Sequence, residues 1–304
     1  QPRSLSSRPG LPFMAPSEEP LAKKQKNGVY QGTNDMPRFG DPGRVLHLGL
    51  ADGEVANRIA VVGHHSRAEL LASFLEPETP GGSVFKLASD RGFLTFTGCF
   101  SGQRLSVVSV GMGLPMMDFF VREVRAVVEG PMAVVRFGTC GCLQEWVKVG
   151  TVSVASQGSA LVQRNVGHFN CSGNDRTGND DGKSSPYHIS DVCLPDADLN
   201  KAVTEALTED LGASDVAEGI NVTADSFYSS QGRRDPNFDD GNEELVNEVL
   251  KRYPKAITME METFQLLHLA RSCVPAGNIR AAAAVVNVAN RPTGEVVPEQ
   301  GLKA

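Results

Sequence analysis

Short apolar runs rich in β-branched residues alternate with amphipathic segments from residue 45 onwards. The runs are apolar on both faces, which is typical of strands buried inside a sheet. They are RIAVVG at 58–63, LSVVSVGMG at 105–113, AVVRFGTCG at 133–141, TVSVAS at 151–156 and AAAAVVNVAN at 281–290. Between them, the spacing of apolar residues predicts helices in SRAELLASFL, PMMDFFVREVRAVVE, DLNKAVTEALTEDLG and EELVNEVLKRY. Strands that alternate with helices predict a single α/β domain.

Three other segments depart from this pattern. Residues 1–44 contain scattered Pro and Gly and few apolar residues, which predicts a disordered N-terminal tail before a domain at 45–304. Residues 170–185 are rich in Gly, Asn, Asp and Ser and predict a loop insertion. The stretch TMEMET at 258–263 leads into the amphipathic FQLLHLARSC. Its two acids repel each other, so it is a poor opening for a helix.

Composition excludes several classes of partner. The net charge is −7 and no long basic run occurs, so neither nucleic acid nor an anionic membrane surface is an expected partner. No apolar run reaches the ~18–20 residues that a membrane span needs. Six cysteines in 304 residues are too sparse for a disulfide framework and indicate a reducing, cytosolic compartment. The pairs Cys140/Cys142 and His64/His65 are weak signals for a metal, since neither has further ligands nearby.

Glycine-bearing turns follow three of the predicted strands, in VVGHHSR, SVGMGLP and RFGTCG. In an open α/β sheet, the loops beyond the carboxyl ends of the strands build the ligand site, and glycine lets backbone N–H groups approach an anion. Arg136 lies inside an apolar strand, where a guanidinium needs a paired or bound anion. The sequence therefore predicts a phosphate site, built from Gly63, Arg67, Arg136 and Thr139.

Common nucleotide and hydrolase signatures are absent. The chain contains no G-x-x-x-x-G-K-[ST], no full G-x-G-x-x-G and no G-x-S-x-G motif. An ATPase, a dinucleotide-binding enzyme and a serine hydrolase are therefore disfavoured.

A set of short motifs in a fixed order carries a family resemblance. These are HLGL at 47–50, VVGHHSR, SDRGF, VRFGTCG, DSFYSSQGRRD at 225–235, MEMET and VANR at 288–291. The chain resembles the nucleoside phosphorylase-I family and, in its spacing, the uridine phosphorylase branch. The resemblance implies a three-layer αβα domain with a mixed central β-sheet, whose C-terminal helix is expected beyond Ala304. It also implies a pentosyltransferase of pyrimidine salvage that converts uridine and phosphate reversibly to uracil and ribose 1-phosphate, without a metal or organic cofactor.

The resemblance assigns a role to each matched residue. Arg136, Glu262 and Arg233 are the catalytic set, and Glu260 supports them without touching the sugar. His47 and Arg91 are expected to cross to the site of a neighbouring subunit, which makes a homodimer the smallest active unit. The phosphate-binding residues are Gly63, Arg67, Arg91, Arg136 and Thr139; the ribose-binding residues are His47, Met261 and Glu262; the base-binding residues are Phe227, Gln231 and Arg233.

Two features bear on the choice among related functions. The Gln231–Arg233 pair is present, and VNVANR lacks the acid that purine-specific relatives use, so uridine is favoured over a purine nucleoside. Gly92 and Met116 stand where the uridine branch holds an interface cation, which disfavours that ion. The alternatives are a purine nucleoside phosphorylase, a nucleosidase of the same fold, and a non-catalytic nucleoside-binding protein. The last two are disfavoured because the charged residues of the phosphate site are retained.

Overall fold

The computed structural model describes residues 36–169 and 185–298. Part of the predicted tail, residues 36–44, falls within these ranges and is folded. Its strand β1 (Arg38–Phe39) pairs antiparallel with β2 (Arg44–Val45), and Arg38 forms an ion pair with Asp52 at 2.7 Å. These contacts correct the tail prediction for 36–44. The rest of the tail, and the predicted insertion up to residue 184, lie outside the described residues.

A mixed sheet of twelve strands forms the centre of the described structure. Its strands are β3 (Arg58–Val62), β4 (Phe85–Ala88), β5 (Leu94–Phe100), β6 (Gln103–Ser109), β7 (Met132–Cys142), β8 (Val152–Val154), β9 (Ser159–Arg164), β10 (Tyr187–Ile189), β11 (Val216–Glu218), β12 (Ile220–Ala224), β13 (Ala256–Glu260) and β14 (Ile279–Asn290). The helices are α1 (His65–Ala72), α2 (Leu114–Val127), α3 (Ala197–Leu211), α4 (Leu245–Arg252) and α5 (Thr263–Ser272). All the predicted strands and helices are present in these elements.

Strand β7 is the hub of the sheet. It pairs parallel with β3 and β14 and antiparallel with β13. The main path runs β10-β9-β12-β13-β7-β3-β6-β5-β4, while β14 also pairs with β8, and β8 with β11. Hydrogen-bonded neighbours cover both edges of β7, and its alternate residues from Met132 to Cys142 are buried.

Helices cover both faces of the sheet. Helices α2 and α5 form one core with Ile59 and Val61 of β3, whereas α1 forms another with Val62 of the same strand. Successive side chains of a strand point to opposite faces, so these helices lie on opposite sides. The predicted three-layer αβα architecture is confirmed. None of the helices in the described ranges is long and apolar enough to cross a membrane.

Most of the stretch 258–263 precedes the helix, which agrees with its being a poor opening for one. Thr258 and Glu260 belong to β13, and α5 begins only at Thr263. Every residue of β13 is buried, and its polar groups have partners; Asn221 Nδ2, for example, donates to Thr258 Oγ1 at 3.1 Å. A strand with buried polar residues lacks the apolar pattern by which the other strands are recognised.

Candidate active site

A cavity of about 610 Å³ opens at the ends of β3, β6, β7 and β13. All the predicted site residues except His47 and Arg91 line it. The sheet therefore brings together residues from positions 63 to 262, which are distant in the sequence.

Arg136 occupies the centre of this site. In β7, Arg136 and Gly138 lie two residues apart and so point to the same face. The guanidinium folds over Gly138 so closely that a Cβ atom there would lie 2.1 Å from Arg136 Nη1. Any side chain at 138 would therefore have to displace this guanidinium. Arg136 Nη2 donates to Glu262 and forms an ion pair with Glu260 at 3.0 Å.

Glu260 joins the end of β13 to the start of α5. Its carboxylate accepts hydrogen bonds from the backbone N–H of Glu262 at 3.0 Å and of Thr263 at 3.1 Å. It also accepts from Thr223 Oγ1 at 2.6 Å. A carboxylate at this place satisfies the free N–H groups of the first helical turn and complements the helix dipole. Glu260 thus has the supporting position that the sequence predicts for it.

Glu262 is buried beside Arg136 with both oxygens in use. One oxygen accepts from the backbone N–H of Gly113 and the other from Arg136. Burial raises the pKa of Glu262, Arg136 opposes this rise, and the nearby Glu260 adds to it. Each carboxylate oxygen has a second lone pair, so Glu262 retains the capacity to accept from hydroxyl groups in the cavity.

Arg67 faces Arg136 from the first turn of α1. That helix is capped by His64, whose side chain accepts from the backbone N–H of Ser66 at 3.2 Å. Burial lowers the pKa of Arg67, and the positive charge of Arg136 lowers it further. A Cβ atom at Gly63 would lie 3.2 Å from Arg67 Nη2, so a side chain at position 63 would crowd the Arg67 guanidinium. Two guanidinium groups held this close favour an anion between them.

The turn after β12 also lines the cavity, through Phe227, Gln231 and Arg233. A short 3-10 helix, Ser229–Gln231, ends at Gly232 with a φ of 62°, in the left-handed region that favours glycine. Arg233 stacks over the ring of Phe227 with its Cζ 4.0 Å from the ring centre, and donates to Gln231 Oε1 at 3.4 Å. Its buried Nε has no hydrogen-bond partner among the described residues. The turn therefore carries a guanidinium that lines the cavity and is only partly satisfied by the described residues.

A second guanidinium, that of Arg291, lies near Arg233 without lining the cavity. Arg291 packs on Gly141, where a Cβ atom would lie 3.2 Å from its Cδ, and its Nη1 contacts Met259 Sδ at 3.3 Å. Burial lowers the pKa of Arg291, and the charge of Arg233 lowers it further. Both acids that line the cavity, Glu260 and Glu262, form ion pairs with Arg136 and not with Arg233 or Arg291.

The two cysteines of β7 are held as thiols. Cys140 donates to Asn287 Oδ1 at 3.0 Å, and burial followed by the charge of Glu260 raises its pKa. Burial also raises the pKa of Cys142. Within residues 36–169 and 185–298, no three His, Cys, Asp or Glu side chains are grouped to hold a metal ion.

Comparison with known proteins assigns the chain to a family. A family model described as the phosphorylase superfamily matches residues 57–300. The chain belongs to this superfamily. The family predicted from the order of the sequence motifs is confirmed.

Relatives within the superfamily differ in the base that their names specify. A structure from a study of two uridine phosphorylases of the oomycete Phytophthora capsici is 43% identical, with a TM-score of 0.81, and the match covers 90% of this chain and 94% of that one. A purine nucleoside phosphorylase, DeoD-type, from Geobacillus kaustophilus is 30% identical over 74% of this chain and 79% of its own length. A Trypanosoma brucei nucleoside phosphorylase, at 21% identity and a TM-score of 0.67 over 88% of this chain and 95% of its own, shares the fold.

His47 and Arg91 are the two predicted residues that the cavity does not include. His47 is bonded to Glu123 on α2, away from the cavity lining. Arg91 is exposed, in a turn that is tied to the cavity edge where His65 Nε2 contacts the carbonyl of Gly92 at 3.0 Å. Their role across a subunit interface stays a prediction.

Sequence reasoning missed Asn242. This buried side chain donates from Nδ2 to the carbonyls of Ser229 and Arg233, both at 2.9 Å, and so holds the turn that carries Gln231. Its partners lie 13 and 9 positions away, and an asparagine in a polar loop gives no sign of such contacts. Ser109, which ends β6, also went unnoticed; its buried Oγ lines the cavity and has no partner in the described part of the chain.

Proposed function

We propose that this member of the phosphorylase superfamily catalyses the reversible phosphorolysis of uridine to uracil and ribose 1-phosphate. The observation that carries the proposal is the set of groups that line one cavity. They are the guanidinium groups of Arg67 and Arg136, the buried carboxylate of Glu262, and a Gln–Arg pair on the turn after β12. These groups suit the phosphate, the sugar and the base of a nucleoside with its co-substrate.

Phosphate is bound at the Arg67 end. Two guanidinium groups can each donate two parallel hydrogen bonds to phosphate oxygens. The half-buried Arg67 has its pKa lowered by burial and by Arg136, so a bound dianion relieves an unfavourable charge arrangement. Gly63 and Thr139, which line the same region, add backbone and hydroxyl donors.

Ribose is held by the segment between β13 and α5. Glu262 accepts from the 2′- and 3′-hydroxyls with the lone pairs that Gly113 and Arg136 leave free. Met261 lines the cavity beside it and packs against the sugar. The residues that bind the sugar are therefore fixed by the same Glu260 contacts that begin the helix.

Uracil is recognised by Gln231 and Arg233, with Phe227 against the ring. Guanidinium and amide donors suit the two carbonyl oxygens of uracil. They also suit the negative charge that the base carries as it leaves. Arg291 adds a second positive charge at this end.

The reaction forms a bond from a phosphate oxygen to C1′ and breaks the bond from C1′ to the base nitrogen. The electron pair of the broken bond passes to uracil, which takes a proton from solvent. Positive charge develops on the sugar, between Glu262 and the bound phosphate, while negative charge develops on the base near Arg233. Catalysis is then mostly positioning and preorganised charge, and a single donor to the leaving base contributes about 3–4 kcal/mol by analogy with an oxyanion-hole donor.

We also infer a cytosolic homodimer with shared sites, acting in pyrimidine salvage. His47 and Arg91 lie outside the cavity of their own chain, as residues that serve a neighbouring site would. The cysteines within the described ranges are free thiols, which fits a reducing compartment.

An assay of phosphate dependence tests the proposal. Uridine, deoxyuridine, thymidine, inosine and adenosine are each incubated with and without phosphate, and release of the free base is measured. We expect cleavage of uridine only when phosphate is present. Cleavage without phosphate would indicate a nucleosidase, preference for inosine or adenosine would indicate a purine enzyme, and no cleavage would indicate a binding protein.

A further inference from the structure

Glu123 is a buried carboxylate that the catalytic scheme does not use. It lies on α2, is 4% exposed and does not line the cavity. Its oxygens accept from the backbone N–H of His47 at 2.9 Å and of Leu48 at 2.8 Å, and one lies 2.5 Å from His47 Nδ1. A buried carboxylate is costly unless it is hydrogen-bonded, and here one short segment supplies all three donors.

The His47 ring is held from two sides. Besides the bond to Glu123, it stacks on Phe119 with ring centres 3.8 Å apart and an angle of 16° between the planes. About a quarter of the His47 side chain is exposed. Its other nitrogen, Nε2, has no hydrogen-bond partner among the residues that the structure describes. The ring is thus fixed at one nitrogen and open at the other.

The chemistry of Glu123 also fixes where the ring proton lies. An ionised carboxylate can only accept hydrogen bonds, so Nδ1 must carry the proton. In the neutral imidazole, Nε2 is then an acceptor. A carboxylate behind one imidazole nitrogen sets the tautomer and the orientation of the ring.

We propose that Glu123 is a positioning residue for substrate recognition: it orients His47 and makes Nε2 an acceptor for a hydroxyl group. The identity of this hydroxyl rests on the proposed function: it is the 5′-hydroxyl of the nucleoside bound in the neighbouring subunit. The partner that this geometry fits is a sugar hydroxyl rather than an anion, since a lone pair faces outward.

The isosteric variant Glu123→Gln tests this assignment. The amide oxygen still accepts from the two backbone N–H groups, but the amide nitrogen now donates to Nδ1. The ring proton therefore moves to Nε2, which can no longer accept. The 5′-hydroxyl must then reverse its hydrogen bond and accept from Nε2–H, so that its own proton needs another partner. We expect the KM for uridine to rise about two- to threefold, less than the effect of losing a whole hydrogen bond. The KM for phosphate and the KM for 5′-deoxyuridine, which lacks the hydroxyl, should not change.

A double variant shows whether Glu123 acts through His47. In a His47→Ala background, Glu123→Gln should leave the KM for uridine unchanged. A further rise in that background, or an equal rise for uridine and 5′-deoxyuridine, would mean a general structural role and would overturn the proposal.

Two controls distinguish a failure of the role proposed for Glu123 from a failure of the role proposed for His47. Glu54→Gln alters another carboxylate that accepts a backbone N–H, from Ala51 at 2.9 Å, without contacting His47. It should leave the KM values for both nucleosides unchanged. If the unmodified protein does not prefer uridine over 5′-deoxyuridine, the proposed role of His47 fails. If it does, and Glu123→Gln has no effect on the preference, only the role of Glu123 fails.

Discussion

Glu260 and Glu262 share the guanidinium of Arg136 but face different parts of the protein. Glu260 directs its remaining lone pairs to backbone N–H groups at the start of α5, and Glu262 directs one oxygen to Gly113. Burial lowers the pKa of Arg136, but the two carboxylates outweigh burial and raise it. The positive charge of Arg136 thus opposes, without cancelling, the rise that burial gives the pKa of Glu262.

Replacing Arg136 should affect both activity and folding. Arg136→Leu removes the phosphate contact and leaves two buried carboxylates without a counter-charge. We expect no measurable turnover and a loss of stability of about 3–5 kcal/mol, the usual effect of breaking a buried ion pair from one side. Enzyme assays and thermal unfolding measure the two effects.

Arg67→Leu is the matched control for this experiment. Arg67 has no ion pair among the described residues, so its replacement should raise the KM for phosphate with little change in stability. Near-normal turnover in Arg136→Leu would contradict the phosphate assignment.

Glu262 should also control the pH dependence of the reaction. Burial raises its pKa, so the protonated form persists at a higher pH than for an ordinary glutamate. That form has one acceptor fewer for the ribose hydroxyls. We therefore expect kcat/KM for uridine to fall on the acid side at a pH above the ordinary glutamate value, and Glu262→Gln to remove this fall while lowering the rate. A fall at the ordinary value in the unmodified protein would rule out this role.

The free energy of unfolding depends on the protonation of Glu262 in the opposite sense to the activity. Glu262 binds its proton more tightly in the folded chain than in the unfolded chain. Its contribution therefore favours folding at low pH and is lost as the pH rises through the folded-state pKa.

The turn after β12 behaves as a unit because Asn242 ties its two ends together. A Cβ atom at Gly232 would lie 3.0 Å from Val246 Cγ2, so the turn is also packed against α4. Gln231 and Arg233 depend on this backbone for their direction.

Asn242→Asp removes both donors without changing the shape of the side chain. The new carboxylate faces two carbonyl oxygens, which repel it and loosen the turn. We expect kcat/KM for uridine to fall about tenfold or more, consistent with the loss of two hydrogen bonds, while the KM for phosphate is unchanged. Gln231→Ala should show the same selectivity for uridine.

Asn237→Asp provides the comparison within the same loop. Asn237 is exposed and contacts only Asp235 among the described side chains. It should behave like the unmodified protein. Equal losses for uridine and phosphate in Asn242→Asp would contradict the proposed division of the cavity.

Strands within the most apolar runs could be predicted, whereas β12 and β13, whose apolar pattern is interrupted by polar residues, could not. The helices and the apolar strands β3, β6, β7, β8 and β14 follow from periodicity alone. Strands β12 and β13 carry Asn221, Thr223 and Thr258, whose partners are polar groups on the neighbouring strand or helix. Their strand character depends on tertiary contacts, which a local pattern does not contain.

At the scale of the whole molecule, the sheet concentrates positive charge in an acidic protein. The chain carries a net charge of −7, yet Arg67, Arg136 and Arg233 all line one cavity. The ordered set of motifs allowed these residues to be predicted. Glu123 could not be predicted, because its partner His47 lies 76 positions away and no motif joins them.

Shared sites predict that two inactive variants restore each other. Arg67→Ala and Arg91→Ala should each lose phosphate affinity. In a hybrid dimer, however, one site receives both native arginines. Random mixing by co-expression or refolding should then recover about a quarter of the native activity, since half of the dimers are hybrids with one intact site of two. The measurement is activity against the mixing ratio.

Each variant alone provides the baseline for that mixture. Recovery should be greatest at equal amounts of the two chains. A mixture no more active than its components would show that Arg91 serves its own chain or none.

The contact between Arg136 and Gly138 has a consequence for natural variation. Position 138 has no functional group, does not line the cavity and lies within an apolar strand. Even so, the smallest side chain there would have to displace the guanidinium of Arg136, the group proposed to bind phosphate. A missense change at Gly138 should therefore be interpreted as an active-site lesion, as severe as the loss of Arg136 itself.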